Sequence, residues 1–322
     1  MQVTDYLSKE EINELLQKSD WKGFVELATT WGWIAFALAL PALWLNPFTV
    51  IVSLFILGGK QLGCAIIMHD TSHYAFFNSR KLNSFFGNWL GGYPIFQNVE
   101  DYRPYHFKHH RNTGTNDDPD LNLTTGYPTS KVSMLRKFSR DLAGVTGFKT
   151  FYGVLLMHFG YLKYNLGGLV EKIKAKNRNW KSMLNRAYVK LRGPVVFHLL
   201  FFTLLYAIGF WWLYLLWWGA FFTTYNFSLR VRSIAEHSVV PNQLDPQKNT
   251  RTTYANFIER ILFAPHHVNY HAEHHLLMAA PSYNYPKMHE VLLKKGFYNE
   301  GLLEPNYRRI VKLAVSGSNP GT

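Results

Sequence analysis

The chain is short of two things that soluble enzymes commonly use. Only one of its 322 residues is a cysteine, Cys64, so no disulfide can close within it. Neither an iron–sulfur cluster nor a thiolate-bound structural zinc has enough sulfur ligands. Charged side chains make up 17% of the sequence, against roughly a quarter in ordinary soluble domains. Two stretches carry no Asp, Glu, Lys or Arg at all: Leu27 to Gly59 and Gly193 to Leu229. The opening "MQVTDYLSKEEINELLQKSD" lacks the basic start and apolar core of a secretory signal. No internal repeat and no low-complexity domain stands out.

What is present points to a bilayer. Aromatic residues reach 16%, yet the mean hydropathy of −0.12 is too low for a chain lying wholly in lipid. A membrane protein with a large polar part fits both. A spanning helix needs about 20 apolar residues. Each uncharged run is too long for one span and fits most of a helical hairpin. Asn46-Pro47 supplies a turn in the first run and Gly209 one in the second. The expected spans are 24–44, 48–73, 194–208 and 211–237. Segment 85–98 is too short and glycine-rich to cross; it is expected to lie in the interface or re-enter.

The net charge of +13 has two readings, nucleic-acid binding and the positive-inside rule of membrane proteins. Position decides between them. All 34 Lys and Arg lie outside the two uncharged runs, and no nucleic-acid motif accompanies them. The N-terminal, middle and C-terminal segments are therefore expected on the cytoplasmic side. The stretch 171–192 holds eight Lys/Arg and one acid; it suits either anionic headgroups or a solvated helix face.

The fold class expected is an all-α membrane protein with four spans in two hairpins and a helical cytoplasmic cap. The chain divides into an amphipathic N-terminal helix (1–23), a first hairpin (24–73), a cytoplasmic and interfacial helical segment (74–192), a second hairpin (193–237), the cap (238–315) and a disordered tail (316–322). All act as one functional unit.

Histidine is where the chemistry shows. "HDTSH" places His69 and His73 at i, i+4. "HFKHH" places His106, His109 and His110 at i, i+3, i+4, and "HAEHH" repeats that spacing with His271, His274 and His275. His237 ends the fourth expected span in "RSIAEHS". Such spacings put each set on one helix face. Eight of the 14 histidines fall in the three boxes, which composition alone does not explain. The topology sends all nine to one side of the membrane. A helix over 48–73 is roughly 39 Å long at ~1.5 Å per residue, against a hydrocarbon core of ~30 Å, so its histidine end projects past the lipid. Neutral imidazole is the commonest protein metal ligand. Nine nitrogens exceed the six that an octahedral ion can use, so two ions sharing the set is the economical count.

Acids beside the boxes are candidate partners for the second ring nitrogen: Asp70, Asp117, Asp118, Glu236 and Glu273. Asn269, two positions before the third box, reads first as a turn-former and second as a candidate for holding a water near the metal. His267 stands four residues before His271 and is a minor ligand candidate. His198 is expected to bond a neighbouring helix, and His158 and His289 to be structural or exposed. Lys60 and Gln61 interrupt span two; Lys60 reads as snorkelling or packing within the bundle rather than as catalytic.

These boxes, in this order and membrane setting, resemble the integral-membrane fatty acid desaturase and hydroxylase superfamily, from the first span to about residue 295. "NYHAEHHLLMAAPSYNYPKMHEVL" looks like the family's third-box region, and "LRVRSIAEHS" like the segment that supplies an extra ligand. The resemblance implies two non-haem iron ions held by the nine histidines, with O₂ as cosubstrate. The implied reaction converts unactivated methylenes of a fatty-acyl chain, where no acidic proton is available for acid–base chemistry, into a double bond. The same ligands would serve a hydroxylase or an oxidative decarboxylase forming 1-alkenes. Electrons would come from a separate ferredoxin, rubredoxin or cytochrome b5-type protein, drawn to the basic face. The other partners expected are the acyl substrate and membrane lipids. The location implied is multi-pass in a bacterial inner membrane, both termini cytoplasmic. A metal transporter or sensor is the reading from another class. It is disfavoured because transport sites lie near the bilayer midplane, whereas these ligands gather at one end.

Overall fold

The computed structural model describes residues 3–174, 179–298 and 301–316. Helices carry nearly all of the regular structure. Helix α1 (Lys9–Leu15) starts on a capping box between Ser8 and Glu11. Ser19 caps α2 (Asp20–Leu43). Asn46 caps α3 (Pro47–Ser72), its side chain accepting from the Thr49 N–H at 3.1 Å with Pro47 in the first turn. The expected turn at Asn46-Pro47 is therefore the tip of the first hairpin. α3 is the axis of the molecule: from Ile56 to Ser72 every residue but Ala65 is buried, and an all-round apolar helix belongs at the centre. Its glycines permit that. A Cβ on Gly58 would lie 2.6 Å from the Thr224 carbonyl carbon, and one on Gly59 would lie 2.3 Å from the Ile261 oxygen.

After α3 come α4 (Arg80–Phe86), a π-helical turn (Gly87–Gly92) and a 3₁₀ turn (Tyr93–Ile95). This is the segment expected to be too short to span. Then follow α5 (Val99–Asn112), α6 (Leu121–Thr124), α7 (Lys131–Leu142) and α8 (Val145–His158). Helix α9 (Trp180–Ala207) begins well before the expected boundary at 194. The basic residues from Lys181 to Arg192 form its first turns, because nothing in them breaks a helix. Residues 175–178 of the basic stretch lie outside the described residues.

The stretch expected as a single fourth span is two helices, α10 (Leu213–Phe222) and α11 (Thr224–His237). The break is at Thr223, with φ −113° and ψ −88°. Side chains take over the carbonyls that the break releases: Thr223 Oγ1 donates to Gly219 O at 2.6 Å, and Asn226 Nδ2 to Phe221 O at 2.8 Å. Among the described residues three helices are long and apolar enough to cross a membrane: α2, α3 and α9.

The C-terminal part adds α12 (Phe257–Leu262), α13 (His271–Leu276), α14 (Tyr285–Lys294) and α15 (Tyr307–Ser316). Two short parallel strands, β1 (Thr252–Thr253) and β2 (Leu303–Glu304), tie it together. The expected disordered tail lies outside the described residues apart from Ser316, which ends α15.

Candidate metal centre

The nine histidines come from four elements. His69 lies in the last turn of α3 and His73 is its C-cap; His106, His109 and His110 lie on α5; His237 ends α11; His271, His274 and His275 lie on α13. The structure brings all nine together in two groups. One holds His69, His73, His106, His110 and His274; the other holds His109, His237, His271 and His275. Within each group one ring nitrogen per residue lies within 4.8 Å of every other.

Both HxxHH boxes are split between the groups. On an α-helix, i and i+4 are about 40° apart around the axis, while i+3 lies about 60° to the other side of i. So His106 and His110 face one group and His109 the other, whereas His271 and His275 face the second group and His274 the first. Sequence spacing put each box on one face; the fold divides that face along a finer line.

The ring nitrogens show what the groups can hold. His69 Nδ1 lies 2.7 Å from Asp70 Oδ1, His109 Nδ1 lies 2.8 Å from Asp118 Oδ1, and His237 Nδ1 donates to Asn249 O at 2.9 Å. A ring that donates from Nδ1 turns an Nε2 lone pair inward. There the nitrogens crowd. Nε2 of His110 is 2.9 Å from those of both His106 and His274, and Nε2 of His271 is 2.8 Å from that of His237 and 3.2 Å from that of His275. Nε2 of His69 and of His73 is buried with no hydrogen-bond partner among the described residues. Ligands at about 2.1 Å from one ion lie ~3 Å apart when adjacent and ~4.2 Å when opposite. The crowded and orphaned nitrogens fit that pattern, so the residues present suit a metal ion in each group.

Protonation favours the same use. Burial, reinforced by the neighbouring imidazoles, pushes His106, His110, His271, His274 and His275 well below the ordinary histidine range. They are neutral at pH 7, the form that binds metals. Burial also pulls on His109, but the hydrogen bond to Asp118 and the charge of Asp120 outweigh it and raise its pKa.

The remaining candidates divide. Asp70 and Asp118 hold box histidines. Glu236 approaches His271 Nδ1 at 3.4 Å and pairs with Arg232. Glu273 turns away: its oxygens meet Thr252, Tyr298 and, at 2.6 Å, His289 Nδ1. Asp117 is exposed. Asn269 is buried, donates to Thr253 O at 3.0 Å and leaves Oδ1 without a partner among the described residues. His267 stands outside both groups. His198 bonds the Tyr214 hydroxyl of α10 at 3.1 Å, as expected of a helix-to-helix contact.

Sequence reasoning missed Asp120, 3.7 Å from His109 Nδ1, the Asn249 carbonyl, and the Tyr285 hydroxyl 2.8 Å from His274 Nδ1. Asp120 was legible in the acidic run "NDDPD". A carbonyl or a tyrosine brought in by folding leaves no local mark.

A cavity of about 120 Å³ runs from this centre into the helices. Leu62, Ile66, Val154 and Phe221 are among its apolar walls, and His69 closes it at the metal side. A gap of about 20 Å³ among His106, His109, His237 and His271 shares Tyr102, Asp120, Leu123 and Arg232 with it.

The chain matches the family model described as fatty acid desaturase over residues 42–304. It is 26% identical to a dihydrorhizobitoxine desaturase of Bradyrhizobium elkanii, covering 79% of this chain and 70% of that protein. It is 23% identical to an sn-1 oleoyl-lipid 12-desaturase of Picosynechococcus sp., covering 81% and 74%. To the enzyme of the same name from Synechocystis sp. it is 24% identical, covering 84% and 76%.

Proposed function

The chain belongs to the fatty acid desaturase family, and on that premise we propose that it is an O₂-dependent, di-iron desaturase of a fatty-acyl chain. The observation that carries this reading is His69, which belongs to the first histidine group and also walls the apolar cavity. A methylene lying in that cavity would sit beside a ligand of the metal. The first group would hold one iron through His69, His73, His106, His110 and His274; the second would hold the other through His109, His237, His271 and His275. Iron bound there supplies the one-electron chemistry that turns O₂ into an oxidant able to take hydrogen from an unactivated C–H bond. The balance is one –CH₂–CH₂– unit, O₂, two electrons and two protons giving –CH=CH– and two waters. The electrons come from a separate ferredoxin, rubredoxin or cytochrome b5-type donor.

The protein's own side chains do the rest. Asp70 and Asp118 accept from Nδ1 of His69 and His109 and fix those rings with Nε2 turned inward. Leu62, Ile66, Val154 and Phe221 exclude water from the acyl chain. Asn269 offers its free amide oxygen to a water beside the second group. In the membrane, α2 with α3, and α9 with α10 and α11, form the two hairpins; the histidine ends and both termini are cytoplasmic, at a bacterial inner membrane. That all three relatives are named desaturases supports a double bond over a hydroxyl group.

Two expected results test this. Asp118→Asn should weaken metal affinity or activity about 10–100-fold, measured by iron content and turnover, with helix content unchanged by circular dichroism. Iron-loaded protein given a donor, O₂ and labelled acyl chains should yield an internal alkene of unchanged length by mass spectrometry. An alcohol would make it a hydroxylase, and a 1-alkene one carbon shorter, with CO₂, a decarboxylase. Zinc alone in protein made with iron available, and no product, would favour the transporter or sensor class.

A further inference from the structure

Across α3 from the acyl cavity lies a second cleft, of about 220 Å³, that the proposed reaction does not use. It is walled by α2, by α3 and by the segment 257–267. Lys60 stands mid-way along the apolar α3 and is 4% exposed. Its ammonium makes no hydrogen bond and no ion pair among the described residues; the Trp33 ring, 5.9 Å away, is its neighbour. Glu26 lines the same cleft and attracts the ammonium from beyond ion-pair distance, and ionisable groups inside a membrane usually serve a site.

The acid of this cleft is already engaged. Glu26 Oε2 lies 2.6 Å from His266 Nδ1, and His266 Nε2 lies 2.7 Å from Thr30 Oγ1. His267 is further off, 3.9 Å from Glu26, and its Nδ1 is buried with no partner among the described residues. His266 and His267 both hold left-handed backbone, with φ of 52° and 58°, a strain that persists only where the surroundings enforce it. Arg260 adds a second cation to the same wall. Two cations, Lys60 and Arg260, therefore line a cleft with one acid, Glu26, that His266 already engages.

The rim is apolar. Phe257 and Ile258 are 69% and 64% exposed, on a helix pressed against α3 at Gly59. Were α2 and α3 to span the bilayer, α12, packed at Gly59 mid-way along α3, would lie at lipid depth rather than in the expected cytoplasmic cap, and these exposed side chains would meet lipid beside the cleft. A cationic interior behind an apolar rim suits an oxyanion carried on a hydrocarbon tail.

We propose that this cleft binds the anionic head group, phosphate or carboxylate, of an amphiphile, with Lys60 as its buried cation and Arg260 as its outer one. The site is separate from the acyl cavity. The two sources of that chemistry are an anionic phospholipid and a free fatty acid.

Native mass spectrometry of the detergent-solubilised holoprotein, titrated with phosphatidylglycerol, palmitate or phosphatidylcholine, tests it. Phosphatidylglycerol or palmitate should bind at least about tenfold tighter than phosphatidylcholine, and the tighter of the two names the source. Lys60→Met should lower that affinity about tenfold or more and Arg260→Gln about threefold or more, with iron content unchanged. If Lys60→Met does not fold, the exposed Arg260→Gln decides. Equal binding of phosphatidylcholine, or variants that bind as the wild type does, would overturn the proposal and leave Lys60 as a packing residue. Neither readout depends on turnover, so failure of the desaturase reading leaves this test intact.

Discussion

His274→Ala should take the iron content from two ions per chain to about one and abolish turnover. His271→Ala should do the same through the other group. His274 sits among the four other imidazoles of the first group, and His271 is the centre of the second group, 2.8 Å from His237 and 3.2 Å from His275 between nitrogens. Each change deletes one inward nitrogen without touching the other cluster. His274→Ala also strands the Tyr285 hydroxyl, a buried group whose lost hydrogen bond costs about 1–3 kcal/mol, so thermal unfolding should accompany the metal analysis. The decisive measurement is iron by elemental analysis on folded protein. Wild-type iron in both variants would mean that these groups are not where the metal resides.

Ala65→Phe should separate chemistry from metal binding. Ala65 is the one position between Ile56 and Ser72 of α3 that is not fully buried, and it faces the cavity of about 120 Å³. A phenyl ring there would fill much of the cavity proposed for the acyl chain. Turnover of long chains should fall at least about a hundredfold, the upper part of the range for a single pocket group, while metal content stays at the wild-type level. Retained activity on long chains would mean that the substrate approaches the histidines by another route.

The part of this molecule that could be read in its sequence was the part set by local periodicity. The uncharged runs located α2 and α3 to within a few residues; box spacing picked out eight of the nine histidines that converge, and the end of the fourth expected span gave the ninth, His237. Four features escaped. The break at Thr223 depends on carbonyls being re-bonded by Thr223 and Asn226, which hydropathy does not record. The early start of α9 lies in a basic stretch that suited either anionic headgroups or a solvated helix face, so hydropathy drew the span's boundary at 194 rather than at Trp180. Glu273, flanked by box histidines, looked like a partner for one of them, yet successive helical positions point about 100° apart, and its carboxylate serves Thr252, His289 and Tyr298 instead. The division of the histidines between two groups likewise needed the relative placement of α5 and α13.

That division has a mechanical consequence. Each of these two helices lends a pair of rings to one compartment and a single ring to its neighbour, like a gear wheel meshed on both sides. Rotating either helix would close on one ion while backing away from the other. The offset between the two histidine groups is thereby tied to the helix pitch of α5 and α13, and a mutation that twists either helix should disturb metal binding at both groups together.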